Sequence, residues 1–341
     1  MNIKEFAKTI GVSTTTISSA VTGNGRISDA TREMILQKMR EMGYTPNLNA
    51  RRLVSGRSYM VALTHIDQEA ASDLFTMQVA RAMVGPLKSL GYDLWLNLAP
   101  DSSEEQKLLR QLVRASTIDA VVIICEEVIP KKLLQELVNH NRQCVVVGHV
   151  PAENMQGVGS VVMNMRSGAQ QVARLLVERG HRRIGFIDSY LRDKVSSFFI
   201  DELAELGVIF DQRYYAATSR APEEGYKALQ DLMSLPDPPT AIFARTDMLA
   251  ISALRAARDM GLSIPQDLSI VGHDDLSLLA VFAPGLTTVR IDYNELADAA
   301  TDVLSKLLSE PQLKQTPYII DTSLVVRETV GYAGETVDGR P

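Results

Sequence analysis

From Tyr59 onward, short apolar runs alternate with amphipathic segments, and this alternation constrains the fold more than any other feature of the chain. The runs are "MVALTHI", "YDLWLNLAP", "DAVVIIC", "CVVVGHV", "RRIGFID", "TAIFART" and "DLSIVGHD". Between them stand "TMQVARAMVGPLKSLG", "SGAQQVARLLVERG" and "MLAISALRAARDMG", which have helical period and end near Gly91, Gly180 and Gly261 as stops. Near-continuous apolar strands separated by helices require parallel sheets covered on both faces. Roughly ten such strands are more than one sheet holds comfortably, so an α/β body of two doubly wound parallel-sheet subdomains with a cleft between them is expected.

The first 46 residues differ in character, and three short helices are expected there. The first covers about Asn2 to Thr9, with Ile3, Phe6 and Ala7 apolar, and Gly11 breaks it. Ser13 caps the second, "GVSTTTISSAVTGNG", in which Ile17, Ala20 and Val21 keep the 3-4 spacing of a buried face. Its remaining positions are crowded with Ser and Thr, poor helix formers, so something other than helix stability selects the exposed side. The third begins behind Ser28 and stops at Gly43, with Met34, Ile35, Lys38 and Met39 as its stripe. Helix, short turn, helix and packing helix make an all-α helix-turn-helix headpiece.

Charge divides the chain at the same place. Residues 1–58 carry nine Lys or Arg against four Asp or Glu, a net +5, whereas the rest of the 341 residues sums to −11. A small basic module on a large acidic body is the footprint of nucleic-acid binding by one end only. Cys125 and Cys144 lie inside apolar runs without a CxxC pair, which predicts buried reduced thiols. No run is long enough to span a bilayer and the first residues lack the apolar core of a signal peptide, so a cytoplasmic protein without membrane contact is expected.

Enzymatic patterns are missing. There is no G-x-S-x-G elbow, no P-loop, and no HExxH among His65, His140, His149, His181 and His273. The "GVGS" at 157–160 lacks the spacing of a dinucleotide fingerprint. Asp274 and Asp275, adjacent at a strand end, are expected to point in opposite directions and not to form a carboxylate pair. Neither catalytic residues, nor a metal site, nor a cofactor is expected.

The order of motifs is specific. The headpiece string "IKEFAKTIGVSTTTISSAVTGNGRISDATREMILQKMREMGYTPNLNARRLVSG" is followed by "GHRRIGFI" at 180–187, "PTAIFARTDMLAISALRAARDMGLSIPQDLSIVGHDDL" at 239–276, "LTTVR" at 286–290 and "LVVRET" at 324–329. Over nearly its whole length the chain resembles the lactose-repressor/galactose-repressor (LacI/GalR) family of bacterial transcription regulators. The resemblance implies a periplasmic-binding-protein-like body behind the headpiece. It divides the chain into a headpiece at 1–46, a hinge at 47–58, one effector subdomain at 59–160 and 291–321, and another at 161–290 and 322–332. It also implies a repressor whose affinity for double-stranded operator DNA is controlled by a sugar or sugar derivative; a sugar-sensing protein without specific operator binding is the alternative.

Mapped onto this sequence, the family's base readers fall on Thr14, Thr15 and Ser19, with Ser13 and Thr16 toward phosphates and Asn24 in the following turn. Many relatives place an arginine where this chain has Ser19, so direct readout is expected to discriminate less. In the hinge, Leu53 stands where a leucine wedges into the central minor-groove step, Ala50 lies one turn earlier, and Arg51, Arg52 and Arg57 can pair with phosphates. Effector contacts map onto Phe75, Thr246, Asp247, His273 and Asp274, with Arg192 or Lys194 replacing the family arginine. Arg220 and Arg245 either adapt the cleft to an acidic carbohydrate derivative or face solvent and pair with the acidic body. A homodimer on a near-palindromic operator is expected, because the tail "GYAGETVDGRP" lacks the heptads of a tetramerising helix.

Overall fold

Asn2 sets the start of helix α1 (Ile3–Ile10): its side chain accepts the Lys4 and Glu5 N–H groups at 3.0 Å, while the Asn2 N–H donates back to Glu5 at 2.9 Å. Gly11 ends the helix with φ at +70°, a conformation that costs glycine little. Helix α2 (Thr14–Thr22) follows, with Ser13 Oγ accepting the Thr16 N–H at 3.0 Å. Helix α3 (Asp29–Glu41) starts behind Ser28, whose hydroxyl accepts the Thr31 N–H at 3.2 Å. Phe6, Ala7, Ile17, Ala20, Ile35, Met39 and Tyr44 form the small core these helices share, and the rings of Phe6 and Tyr44 stack at 4.3 Å. Arg32 locks α3 to α2 by donating to the Ala20 carbonyl at 3.2 Å.

The computed structural model forms two compact units, residues 1–59 and 60–341. It describes the chain except for residues 23–26, 45–54, 67–73, 99–100, 126–128, 149, 151–154, 190–193, 220, 278, 280–282, 315 and 335–341.

The larger unit contains two six-stranded sheets. The first holds β1 (Met60–His65), β2 (Asp93–Asn97), β3 (Ala120–Cys125), β4 (Gln143–Gly148), β5 (Val158–Asn164) and β11 (Tyr318–Asp321), in the order β11-β5-β4-β3-β1-β2 and all parallel. The second holds β6 (Ile184–Asp188), β7 (Tyr215–Ala217), β8 (Ala241–Ala244), β9 (Ser269–Asp274), β10 (Thr287–Arg290) and β12 (Ser323–Val325), in the order β12-β10-β9-β8-β6-β7. Only β12 runs antiparallel to its neighbour in that sheet.

Helices cover both faces of each sheet, which explains why the strands read as unbroken apolar runs. Helices α4 (Leu74–Ser89) and α11 (Tyr293–Ser309) share one core with the first sheet, while α5 (Ser102–Arg114) and α6 (Lys131–Asn139) cover its other face. On the second sheet, α7 (Met165–Glu178) and α8 (Lys194–Glu205) lie on one side, and α9 (Pro222–Met233) and α10 (Asp247–Asp259) on the other. Cys125 and Cys144 are buried, free thiols within the first sheet.

Each sheet with its helices is a lobe, and the chain passes between lobes three times, after β5, after β10 and between β11 and β12. Polar contacts pin two of these passages together. Asn164 Nδ2 donates to Asp321 at 2.7 Å, and the buried Thr322 hydroxyl donates to the Asn164 carbonyl while accepting the Gly168 N–H, both at 2.9 Å. A Cβ on Gly168 would stand 2.4 Å from Val289 Cγ1, so this close approach requires glycine.

Five strands, β5, β7, β10, β11 and β12, were not among the runs named from the sequence. β5 carries the "GVGS" segment, where Gly159 and Ser160 interrupt the apolar pattern; Gly159 makes room for Val303 of α11, only 2.3 Å from where a Cβ would lie. The other four have only three or four residues, too short to show a period, and β7, β11 and β12 also lie at sheet edges.

Candidate functional site

The headpiece core buries Ile17 and Ala20, which turns the opposite side of α2 outward. Thr15 and Ser13 are exposed, while Thr14, Thr16 and Ser19 are half-buried. Ser13 and Thr16 share a hydroxyl–hydroxyl hydrogen bond of 2.8 Å, so the cap also orders the first turn of the face. The result is a surface of short side chains that carry hydroxyls and methyls. Arg57 is exposed, and its N–H donates to Ser55 Oγ at 3.2 Å. Asn24, Ala50, Arg51 and Leu53 lie outside the described residues.

In the larger unit the two lobes meet at the C-terminal ends of their strands. Gln78 of α4 donates to Ser277 Oγ at 2.8 Å, and the Tyr293 hydroxyl donates to the Asp274 carbonyl at 3.0 Å. Phe75, at the start of α4, is buried with its ring 5.6 Å from that of Tyr293. His65 closes β1 beside them, fully buried, with Nδ1 2.7 Å from Thr76 Oγ1.

The second lobe presents a polar row. Phe186, Phe243 and Val271 sit side by side on the α7/α8 face of β6, β8 and β9. Strand alternation carries Asp188, Arg245 and His273, two residues further on, to the same face. The Arg245 N–H continues the ladder by donating to the Ile187 carbonyl at 2.9 Å, and the His273 ring lies 6.5 Å from Phe243. All three polar side chains are buried, with exposures of 0%, 3% and 0%. Tyr215 donates its hydroxyl to Asp188 from β7. A charge at the close of an apolar strand was the available signal for Asp188, while Tyr215 and Tyr293 carried none.

Thr246 and Asp247 work differently. Thr246 caps α10, accepting the Leu249 N–H at 3.2 Å. Asp247 is fully buried and accepts from the Leu276 N–H at 2.9 Å and the Thr288 hydroxyl at 2.6 Å, so one oxygen braces the loop after β9 and the other holds β10. Burial, reinforced by the nearby Asp274, pushes its carboxyl well above the usual carboxylate range. Gly272 makes that fit possible, since a Cβ there would fall 2.3 Å from Asp247 Oδ1.

Asp274 and Asp275 have φ of +113° and +51°, and the turn separates their roles. Asp274 Oδ1 lies 3.0 Å from His273 Nδ1, whereas Asp275 takes Arg290 and Arg327, each at 2.6 Å. Lys194 is exposed at the start of α8, and Arg192 and Arg220 lie outside the described residues. Among the described residues no cluster of His, Cys, Asp and Glu is arranged to hold a metal, and no helix is long and apolar enough to cross a membrane.

Comparison with known proteins agrees with this layout. Residues 2–47 match the model of bacterial regulatory proteins of the lacI family, and residues 173–330 match that of the periplasmic binding protein-like domain. The HTH-type transcriptional repressor PurR of Erwinia tasmaniensis is 29% identical over 333 residues, covering 96% of each chain. The PurR of Escherichia coli is 28% identical over 332 residues, again covering 96% of each. Among solved structures, the lac repressor dimer bound to operator and the anti-inducer ONPF aligns with a TM-score of 0.77 at 20% identity, over 97% of this chain and 99% of that one. The CelR-cellobiose complex aligns with a TM-score of 0.71 at 24% identity, over 96% and 99%. Helix-turn-helix headpiece, two-lobed α/β body and full-length similarity to repressors coincide in one chain, which belongs to the LacI family of bacterial regulatory proteins.

Proposed function

We propose that this protein is a transcriptional repressor that binds a near-palindromic operator as a homodimer and is switched by a small effector held between the lobes of its body. Its family consists of regulators and not of enzymes. The observation that carries the reading is α2: a capped helix, anchored by Ile17 and Ala20, whose outward side is hydroxyls within a basic headpiece. Such a helix enters the major groove and reads base edges through Thr14, Thr15 and Ser19, while Ser13 and Thr16 approach phosphates. Residues 47–58 serve as the hinge, with Leu53 as the minor-groove wedge and Ala50, Arg51 and Arg57 beside it.

The effector reading rests on two lobes that touch through single hydrogen bonds, Gln78 to Ser277 and Tyr293 to Asp274, above a polar row. A ligand that prefers one lobe angle shifts the balance between DNA-competent and incompetent forms by no more than its differential affinity. We place the lobes at 59–160 with 291–321, and at 161–290 with 322–332. A carbohydrate, or an acidic derivative of one, fits the hydrogen-bonding character of Asp274, His273 and their neighbours.

The dimer reading rests on an exposed apolar stripe on α4, Leu74, Met77 and Val84, with Trp95 and Leu98 also exposed nearby in sequence. The regulator acts in the cytoplasm, where its operator is. A mobility-shift titration on the promoter adjoining the gene tests the function: a salt-dependent shift should survive excess nonspecific DNA and be lost with Thr15→Ala/Leu53→Ala. A shift removed by competitor would instead identify a ligand-binding protein without operator specificity.

A further inference from the structure

His273 ends β9 with its ring fully buried and its Nδ1 3.0 Å from Asp274 Oδ1. In the tautomer that directs an Nδ1 proton at Asp274 Oδ1, the neutral ring presents Nε2 as an acceptor. That Nε2 is buried and has no hydrogen-bond partner among the described residues. Buried polar atoms are almost always paired, so an unpaired Nε2 at the end of β9, next to the Asp274 that Tyr293 of the other lobe contacts, points to a group that arrives from outside.

The charges around it favour one kind of group. Arg245 has the opposite charge of Asp188 beside it on the adjoining strand, and Asp275 is taken by Arg290 and Arg327. Asp274, 14% exposed at its side chain, adds a second acceptor next to His273. An oxyanion brought to this point would meet a lone pair and a carboxylate; a hydroxyl or N–H would meet two acceptors.

We propose that His273 sets the class of effector: the ligand donates a hydroxyl or N–H hydrogen bond to His273 Nε2 and is neutral at that position, not a carboxylate or phosphate. The inference rests on the reading that the effector lies between the lobes, and it selects the neutral branch of that reading.

The test uses the full-length protein, its His273→Phe variant and its His273→Asn variant, which keeps an acceptor. Calorimetric titration with neutral hexoses, pentoses and nucleobases is set against the matching hexuronates and sugar phosphates. A neutral probe should bind, lose about tenfold in affinity or more with Phe, and lose less with Asn. The wild type should also discriminate that probe from its deoxy analogue, and the Phe variant should not. Tighter binding of a uronate or phosphate than of its neutral counterpart, or equal binding by the Phe variant, overturns the inference and leaves the cleft reading standing. Binding of none of the probes counts against the cleft reading and against this inference with it. Without any ligand, nitrogen NMR of histidine-labelled protein should show His273 protonated on Nδ1 and bare on Nε2; the opposite tautomer overturns the inference even if a variant fails to fold.

Discussion

The hydroxyl of Tyr293 donates to the backbone carbonyl of Asp274 at 3.0 Å, and so ties the helix that re-enters one lobe to the strand end of the other. The acceptor belongs to a residue whose φ of +113° is costly for any side chain but glycine. The Tyr293 ring rests near Phe75 of the first lobe. One side chain therefore touches both lobes, one of them at the residue beside His273.

Tyr293→Phe keeps the ring and removes only the donor. Chemical denaturation of the variant should show a body less stable by about 1 kcal/mol, the net worth of one such bond. Its operator release should also respond at a different effector concentration, because the lobes lose a shared contact. Unchanged stability together with an unchanged effector response would show that the contact carries no energy.

Asp247 separates a brace from a ligand contact. Replacing it with Ala leaves the Leu276 N–H and the buried Thr288 hydroxyl unpaired, and should cost about 2–3 kcal/mol in urea unfolding. Asp247→Asn should stay within about 1 kcal/mol of wild type, since the amide oxygen can accept from Leu276 while its NH2 donates to the Thr288 oxygen. A near-neutral Ala variant would contradict the bracing role.

Much of this architecture was legible in the sequence, and the boundary of what was legible is physical. Strands covered on both faces must be apolar throughout, so β1, β3, β4 and β9 announced themselves. The caps at Asn2, Ser13 and Ser28 and the stop at Gly11 marked the headpiece, because helix ends need specific side chains. Asp247 was readable as part of a cleft motif but not as a brace, since its partners Leu276 and Thr288 lie on other segments and come near only through sheet order. Tyr293 and Tyr215 were not visible at all: an aromatic residue near a strand or helix end looks the same whether it fills a core or holds a carbonyl.

His181 makes the body acid-sensitive. It is buried between Thr240, Ser269 and the Gly331 carbonyl, at 2.9, 3.1 and 3.2 Å, and burial holds its ring below the ordinary histidine value. The unfolded chain then binds the proton more readily than the folded one, so stability is full above about pH 6.5 and falls as pH drops toward the folded value. Denaturation midpoints measured from pH 8 to pH 5 should decline through that window, and His181→Gln should flatten the decline. A slope identical in the variant would assign the acid sensitivity to other groups.

Ser19 is half-buried on α2 and too short for a two-pronged contact with guanine, were α2 to enter the major groove as proposed. Ser19→Arg should therefore change the preferred operator base and add about 1–3 kcal/mol of discrimination for guanine at one position in each half-site. Competition among operator variants measures this directly, and an unaltered preference would mean that Ser19 does not face the bases.

The central claim, sequence-specific DNA recognition under effector control, is tested most directly by footprinting full-length protein on the promoter adjoining its gene, with and without a bound probe ligand. Two protected half-sites related by a near-palindrome, about one helical turn apart, with protection that changes when the ligand is added, is the predicted result. Protection absent at every concentration that nonspecific competitor tolerates, or protection indifferent to a ligand shown to bind, would contradict it.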